Sequence, residues 1–400
     1  MDRLFRWFIM VSIAGPVGAG MAWLLLVSVR TVGQVVPGIL GPYAAPVLGA
    51  TFVAILIRYH PVIAGTGSDA YIGSLHIGPK PPVSNPLLSL LKIGATALTV
   101  GSGGSGGLAG PSLHIGAGIH WIIDPLFAPG GHLDERDIRT TRIVGAAAVL
   151  GAVLGAPLAA GILSVEILDR AAIDYRELPP AIMAGASGTL FFRWFTGAQP
   201  TAPGPLPVPD LLAVGALVLT ALIAGAAGLA LTKMMVGLHR LQRGFAPRSL
   251  TVILGAAFTG LLALLVGTEM LGWGVTESLA SYAGADPVGL RGIGLAFGKV
   301  LGTAATVGTG GSGGVIGPAL VIGTFVGNGV ASIAGISIPG ASVVGMAAAL
   351  AAISNVPIAA AVMMIELFGP SATLYACIGS AFGFQIARSG VAYFSLPDRE

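Results

Sequence analysis

The stretch Val100–Ile119 reads VGSGGSGGLAGPSLHIGAGI, a glycine-dense turn that leads directly into an apolar segment. The chain repeats the pattern at Val307–Val326, which reads VGTGGSGGVIGPALVIGTFV. The first copy coincides with the second after a shift of 207 residues (307 − 100 = 207). The same shift aligns three further pairs of residues: Lys92 with Lys299, Gly107 with Gly314, and Pro111 with Pro318. Two copies of so unusual a pattern require one explanation.

The composition is that of a membrane protein. Of 400 residues, 54% are hydrophobic and only 9% are charged, whereas about a quarter of the residues in a soluble domain are charged. A bilayer-spanning helix needs roughly 20 apolar residues. Apolar stretches near this length, one of them short, occur at Trp7–Val29, Val47–Ile57, Ile143–Leu163, Leu211–Met234, Leu250–Leu271 and Ala341–Leu367. We therefore expect an all-α polytopic membrane protein with ten or more spans, several of them short.

Glycine and proline are abundant, at 62 and 27 residues, which predicts broken membrane helices sheltered by protein or lining a cavity. The net charge is only +3, and the basic residues are interpreted as lying mainly in loops, as at Arg136, Arg139 and Arg142 and again at Lys233, Arg240, Arg243 and Arg248. This distribution suits membrane topology better than nucleic-acid binding. The single cysteine, Cys377, excludes an internal disulfide and a cysteine metal cluster.

The N-terminal segment has basic residues before an apolar run but no small-residue cleavage site, so we expect a retained first helix rather than a signal peptide. The first span, Phe8–Val29, is followed by a polar break at Arg30–Gly33 and a second apolar segment ending at Arg58. The loop His60–Asn85 follows. It contains the small turn GTGS at residues 65–68, which either faces a ligand or simply connects two helices.

A second pattern is also duplicated. After a charged segment interpreted as a loop, Asp134–Arg142, the sequence GAPLAAGILSVEILD places Pro157 nine residues before Glu166. NVPIAAAVMMIELFG repeats that spacing from Pro357 to Glu366. Because both patterns recur in the same order, we expect two related repeats, residues 1–200 and 201–400, joined near the proline-rich segment at residues 196–209. Duplication with interrupted helices is typical of transporters built from inverted repeats.

Three interpretations of the glycine motifs compete. Both copies formally contain GxGxxG, but that nucleotide-binding fingerprint belongs between a strand and a helix of a soluble unit. The sequence GGSG at residues 103–106 also resembles the GxSG of intramembrane serine hydrolases, with His114 and His120 as candidate bases. The duplicate serine, Ser312, has no histidine after it.

The third interpretation, anion binding at helix N-termini, accounts for both copies. Glycines permit a tight turn, and Pro111 and Pro318 suit a first helical turn. Free backbone amides there carry the positive end of the helix dipole, so an anion is held without burying a full positive charge. Two such helices converging from two repeats would form one pore.

Several ordered motifs together resemble the CLC family of chloride channels and proton/chloride antiporters, over nearly the whole chain. Residues 65–69 (GTGSD) take the place of the family's GSGIP, residues 107–111 (GLAGP) that of GREGP, and residues 314–318 (GVIGP) that of GxFxP. The two Pro-to-Glu segments match family helices, and Tyr393 in SGVAYFS falls where the family has its pore tyrosine.

The resemblance implies two anion sites. The central site would be formed by the hydroxyls of Thr66 and Tyr393, by the adjoining Gly67, and by the backbone amides of Val315 and Ile316. The amides around Ala109 and Gly110 would form a site nearer the outside. Threonine in place of serine keeps a hydroxyl donor at position 66, whereas isoleucine in place of phenylalanine removes an aromatic wall at position 316.

Two departures from the family pattern bear on mechanism. Ala109 stands where GREGP has the glutamate that blocks the pore when ionised and carries the proton in exchangers. A methyl group neither titrates nor competes with chloride. Ile167 stands at the internal proton-transfer position of exchangers, where channel-type relatives have an apolar residue. Both the gate and the internal proton-transfer position are thus lost.

The predicted function is a passive, uncoupled channel for chloride or a similar anion. The alternative is a proton-coupled chloride antiporter whose relay uses Glu166, Glu366 or His114, the ionisable residues deep in apolar sequence. The matching places of the two glutamates favour a structural role for both, and His114 is expected to hydrogen-bond within the bundle. We expect a homodimer with one pore per subunit in the bilayer, with no cofactor, no metal and no cytoplasmic regulatory domain after Glu400.

Overall fold

The structure is a computed structural model that describes residues 3–76, 86–127, 134–169, 173–198, 204–245, 247–284 and 289–388. Its secondary structure within these ranges is helical apart from one isolated antiparallel bridge. The longer helices in chain order are α1 (Arg3–Tyr59), α2 (Ser68–His76), α3 (Pro86–Thr96), α4 (Ala109–Ala117), α5 (His120–Phe127), α6 (Glu135–Leu154), α7 (Pro157–Glu166), α8 (Leu178–Thr196), α9 (Leu211–Phe245), α10 (Arg248–Val266), α11 (Val275–Tyr282), α12 (Leu290–Gly308), α13 (Ile316–Ala334), α14 (Ile338–Ser354), α15 (Pro357–Phe368) and α16 (Thr373–Ala387).

The first two apolar segments form one kinked helix, α1. The predicted break at Arg30–Gly33 is wrong, because the helix continues through these residues and is interrupted at Gly41, whose φ of 74° lies in the left-handed region. Gly41 precedes Pro42, and an X-Pro step disfavours helical geometry for the residue before it. Arg30 stays helical because its side chain is exposed and needs no break to escape burial.

The charged segment Asp134–Arg142 is not a loop. It forms the start of α6, with Glu135 and Asp137 in the first turn. Carboxylates near a helix N-terminus interact favourably with the helix dipole. Arg139 forms an ion pair with Glu177, which precedes α8, at 2.6 Å. Sequence polarity had suggested a loop, but dipole complementarity and ion pairing allow a helix.

Four helices of the described chain are long and apolar enough to cross a bilayer: α1, α9 (over Leu211–Leu241), α10 and α13. Shorter apolar helices include α7, α14 and α15, and helices of this length are the broken elements that the glycine and proline content predicts. The chain is a multi-pass integral membrane protein, and the all-α polytopic fold is confirmed. The number of crossings stays a prediction.

The packing of the two halves follows the same order. In the first half, α6 lies between α4 and α8, and α7 packs on α8. In the second, α14 lies between α13 and α16, and α15 packs on α16. Glycine-to-glycine crossings let α4 approach α6 closely, and let α13 approach α14 in the same way. A Cβ on Gly116 would lie 2.4 Å from the carbonyl oxygen of Gly145, and one on Gly323 would lie 2.3 Å from that of Gly345.

The two halves meet in sequence between α8 and α9. α8 ends at Thr196 and α9 begins at Leu211, and the described residues 204–210 between them are not helical. Tyr375 donates a hydrogen bond from its hydroxyl to the carbonyl oxygen of Pro207 at 2.6 Å, which fixes this segment on the second half. The division into repeats at residues 1–200 and 201–400 remains a prediction that these contacts support.

Candidate anion-binding site

The two glycine motifs contact each other at the centre of the chain's fold. Gly107 donates from its amide to the carbonyl oxygen of Gly314 at 2.7 Å, and Gly314 returns the bond at 2.6 Å. These residues immediately precede α4 and α13, so the N-terminal ends of the two helices lie side by side. The sequence predicted this convergence from the repeat alone.

The turn before α2 joins the same centre. Gly65 donates to the carbonyl oxygen of Gly310 and accepts a bond from the amide of Gly313, both at 3.2 Å. Gly272, the residue 207 positions later, makes the same pair of bonds to the first motif, at 3.0 and 3.2 Å. Equivalent residues thus make equivalent bonds to the opposite half, as expected for two repeats related by a pseudo-twofold axis.

Thr66, Gly110 and Gly314 approach within van der Waals contact. A Cβ placed on Gly110 would lie 2.3 Å from the carbonyl oxygen of Thr66 and 3.0 Å from the Cα of Gly314. Only glycine fits at position 110, because any other side chain would push these backbones apart. Three of the predicted site segments therefore meet, and Thr66 and Gly110 are both buried.

The first amides of α4 and α13 remain available to a ligand. In an α-helix the leading N–H groups have no acceptor within the helix. None of the backbone hydrogen bonds outside helices in the described chain uses the amides of Ala109, Gly110, Val315 or Ile316. All four residues are buried, and amides at a helix N-terminus are positively polarised donors, which suits an anion.

A buried lysine holds each turn in place. Lys92 of α3 donates from Nζ to the carbonyl oxygens of Ile63 and Gly65, both at 2.9 Å. Lys299 of α12 donates in the same way to the carbonyl oxygens of Met270 and Gly272, at 3.0 and 2.7 Å. The duplicated lysines thus have a fixed architectural place, because each ties the turn of its own half to the helix that precedes the glycine motif.

The contact of Asp69 in this region was not predicted from the sequence. Thr66 donates its hydroxyl hydrogen to Oδ2 of Asp69 at 2.7 Å, and the amide of Asp69 lies 3.3 Å from Oγ1 of Thr66. The available signal was the spacing Thr-x-x-Asp at the start of a helix, which is typical of a capping box. In this structure the hydroxyl predicted to bind an anion is engaged by a carboxylate.

Glu166 and Glu366 cap helices of the opposite half. Both oxygens of Glu166 accept hydrogen bonds from the first-turn amides of α15, at Ile358 (3.0 Å) and Ala359 (2.7 Å). Glu366 in turn accepts two bonds from the corresponding amides of α7, at 2.9 and 2.8 Å. Because each glutamate near the end of one helix reaches the start of the other, α7 and α15 lie antiparallel, as inverted repeats require.

Ser105, the serine of the hydrolase interpretation, is paired with a threonine. Its hydroxyl lies 2.9 Å from Oγ1 of Thr303, and Ser312 makes the equivalent contact with Thr96 at 3.0 Å. Both serines therefore join the motif of one half to the helix that precedes the motif of the other. This geometry gives the duplicated serine a structural role in each half.

The remaining predicted residues are distributed differently. Ile167 is buried directly after α7, among apolar residues. His114 is fully buried, but neither ring nitrogen hydrogen-bonds to another residue of the described chain, so the expected hydrogen bond within the bundle is not observed. Ser68, at the start of α2, is likewise buried without a hydroxyl partner in the described chain. Tyr393 lies outside the described residues.

The model of the voltage gated chloride channel family matches residues 4–129 and 48–388, which together span most of the chain. The chain belongs to the CLC family. This CLC protein is 26% identical over 391 residues to an uncharacterised protein of Methanocaldococcus jannaschii, covering 96% of this chain and 94% of the other. It is also 26% identical to a chloride/fluoride channel protein of Pseudomonas syringae pv. tomato, covering 86% of this chain and 76% of that one.

The fold of this CLC protein matches two solved antiporter structures. A CLC-type fluoride/proton antiporter superimposes with a TM-score of 0.82 at 21% identity, covering 98% of this chain and 96% of the other. A slow cyanobacterial Cl⁻/H⁺ antiporter gives 0.78 at 19% identity, covering 96% and 94%. At these identities the likeness establishes the fold.

Proposed function

We propose that this CLC protein is a passive channel for chloride or a similar small anion, without proton coupling. The observation that carries the proposal is the convergence of two buried helix N-termini, α4 and α13, whose leading amides are uncommitted. Each helix end contributes about half a positive charge, so an anion is held but can leave. The bilayer surrounds one such site in each chain.

The proposal that conduction is passive follows from the apolar residue at the start of α4. Ala109 is the first residue of that helix and is buried against the converging ends. Its methyl group offers no charge to compete with the anion and no proton to exchange. Buried Ile167 likewise offers no titratable group. Thus neither of the positions that would couple anion to proton movement bears an ionisable side chain.

Coupled exchange is the alternative. Two solved structures of the same fold are described as proton antiporters, and a relative in Cronobacter sakazakii, 28% identical over 67% of this chain and 60% of that one, is an H⁺/Cl⁻ exchange transporter. Glu166 and Glu366 are engaged as helix caps. His114, buried and without a hydrogen bond in the described chain, is the candidate among the three that has no structural contact to give up.

Flux from proteoliposomes distinguishes the two functions. Vesicles loaded with potassium chloride are diluted into low-chloride buffer, valinomycin is added, and released chloride and external pH are recorded together. We expect rapid chloride release with no proton movement beyond that of protein-free vesicles. Uphill proton movement driven by the chloride gradient would overturn the proposal, and its loss in a His114→Phe variant would assign the relay.

A further inference from the structure

Two buried polar side chains beside the proposed anion site have no hydrogen-bond partner in the described chain. They are Ser68 at the start of α2 and His114 in α4, with exposed fractions of 1% and 0%. Burying a polar group without a partner is unfavourable, so groups of this kind are normally paired with protein or with a bound molecule. Two of them in one place therefore indicate a ligand that supplies the missing contacts.

Ser68 and His114 lie along the same face of α4. The hydroxyl oxygen of Ser68 is 3.1 Å from the position that a Cβ on Gly110 would occupy. His114 follows Gly110 by four residues in this helix, and residues four apart share one face. Because side chains of a helix are tilted towards its N-terminus, the imidazole leans back towards the turn of α4 that Ser68 faces.

The ammonium group of Lys92 belongs to the same cluster. Cε of Lys92 is 3.0 Å from the position that a Cβ on Gly67 would occupy, immediately before Ser68. Lys92 also interacts electrostatically with His114. An ammonium group has three hydrogens to donate, and Lys92 donates two of them to backbone carbonyl oxygens. One hydrogen therefore remains for a further acceptor.

The neighbouring hydroxyl and carboxylate are engaged with each other. Asp69 accepts the hydroxyl hydrogen of Thr66 at 2.7 Å, and it also interacts electrostatically with Lys92. A hydroxyl group has one hydrogen to donate, so Thr66 has none left for a ligand while this contact is made. Ser68 is the neighbouring hydroxyl whose hydrogen has no acceptor in the described chain.

The second half is built without these polar groups. The shift of 207 residues places Val275 and Val321 at the equivalent positions (68 + 207 = 275; 114 + 207 = 321). A methyl carbon of Val321 lies 2.9 Å from the position of a Cβ on Gly274, and Nζ of Lys299 lies 3.5 Å from the same position. Valine thus accompanies the equivalent lysine, and the repeat architecture does not require a serine and a histidine here.

We propose that Ser68, His114 and Lys92 form a second subsite for a small anion, buried beside the leading amides of α4. This inference rests on the proposed function. Each group can donate one hydrogen, from the hydroxyl, from one nitrogen of the neutral imidazole and from the ammonium group. A water molecule would also have to donate its own hydrogens, whereas an anion only accepts, as a set of donors requires. The buried ammonium charge favours the anion further.

Two neighbouring subsites suit conduction. An ion must bind well enough to enter but must also leave, and several adjacent sites allow one ion to displace the next. Ser68 faces Gly110, whose amide is among the leading amides of α4. An anion can therefore exchange those amides for the serine hydroxyl without first returning to water.

Diffraction from crystals grown in bromide locates the subsite. Wild-type crystals should show two anomalous peaks in each chain, one at the leading amides of α4 and α13 and one between Ser68 and His114. Ser68→Ala and His114→Leu should each remove the second peak and keep the first, whereas His114→Gln, which retains an N–H donor, should keep both. Ser342→Ala is the matched control and should also keep both, because Ser342 of α14 is likewise fully buried with an unpartnered hydroxyl in the described chain.

Calorimetric titration with chloride in detergent measures the loss of affinity. Ser68→Ala and His114→Leu should each weaken binding at one of two sites about tenfold, the effect of one hydrogen bond to a charged group. Equal unfolding temperatures of variants and wild type exclude misfolding as the cause.

Three results would contradict the inference. Absence of the second peak from wild-type crystals would overturn the subsite, and the first peak, if present, would leave the passive channel intact. A second peak that persists in both Ser68→Ala and His114→Leu would show that other groups hold the ion. Absence of both peaks, together with no chloride efflux from wild-type vesicles, would overturn the channel as well.

Discussion

Among single residues, Ala109 has the greatest bearing on mechanism, because it begins α4 at the converging helix ends and is buried there. Replacement by glutamate would add a carboxylate that binds the leading amides in place of the anion. We expect Ala109→Glu to block chloride efflux above the pKa of the new carboxyl group and to restore it at low pH. Efflux measured as a function of pH tests this.

Ala109→Gln is the matched control for that experiment. Glutamine has the same length and a neutral amide, so it reduces efflux through its size alone, and equally at every pH. If Ala109→Glu conducts like wild type across the whole pH range, position 109 does not lie on the anion route and the alignment of GLAGP with the family motif is incorrect.

For single residues, the sequence predicted the structure correctly where residue type and spacing determine the local backbone geometry. The glycines and prolines of both motifs lead to helix starts because tight turns and first helical turns demand them. The Thr66 to Asp69 contact was not predicted, because the hydroxyl was assigned to the anion and the carboxylate to no role. A capping-box spacing indicates that two side chains are close, but it does not show that the carboxylate accepts the hydrogen of the hydroxyl.

At the scale of helices, the reciprocal caps formed by Glu166 and Glu366 lead to a testable prediction. Glu166 and Glu366 each accept two amide hydrogen bonds from the first turn of the helix in the opposite half. Glu166→Gln and Glu366→Gln each remove the charge and leave one amide without its acceptor. We expect each to lower the free energy of unfolding by roughly 1–3 kcal/mol.

Thermal unfolding of the purified protein in detergent measures this effect. Glu135→Gln is the control, because Glu135 also lies in the first turn of a helix but is exposed. Both cap variants should unfold at lower temperature than the control. A normal unfolding temperature in both variants would contradict the capping role. If wild-type vesicles show proton movement coupled to chloride, its loss in either variant would identify that glutamate as part of a relay.

The boundaries of helices were less predictable than their existence. The break in α1 lies at Gly41 before Pro42 rather than at the polar residues upstream. Charge was taken as the mark of a break or loop in that segment, in Asp134–Arg142 and in Lys233–Arg248. The last prediction is also wrong, because Lys233, Arg240 and Arg243 lie in α9 and Arg248 begins α10. An exposed arginine or an acidic first turn is compatible with a helix. Gly-Pro was the better signal, since it restricts the backbone itself.

At the scale of the whole molecule, two shifts describe the duplication. The glycine motifs are 207 residues apart, whereas Pro157 and Pro357 are 200 apart (357 − 157 = 200). Between the two patterns the second half is therefore seven residues shorter (207 − 200 = 7), and it contains one continuous helix, α13, where the first half has α4 and α5. The order of elements was predictable from the repeat, but cross-half contacts separated by about 200 residues leave no local signal in one sequence.

We expect a homodimer with an independent pore in each subunit. Native mass spectrometry in detergent should give twice the mass of one chain. In vesicles made from mixed wild-type and Ala109→Glu protein at neutral pH, efflux should then fall in proportion to the fraction of wild-type chains. A steeper fall, with one blocked chain silencing its partner, would indicate a shared pathway.

The reciprocal caps also affect how the chain is made. The first turn of α7 is capped by Glu366, which is synthesised about 200 residues later (366 − 158 = 208). At roughly 5–20 residues per second, the start of α7 waits on the order of 10–40 s for its acceptor. During that interval the first-turn amides of α7 lack this acceptor, so the cap of α7 forms only after the second half has been made.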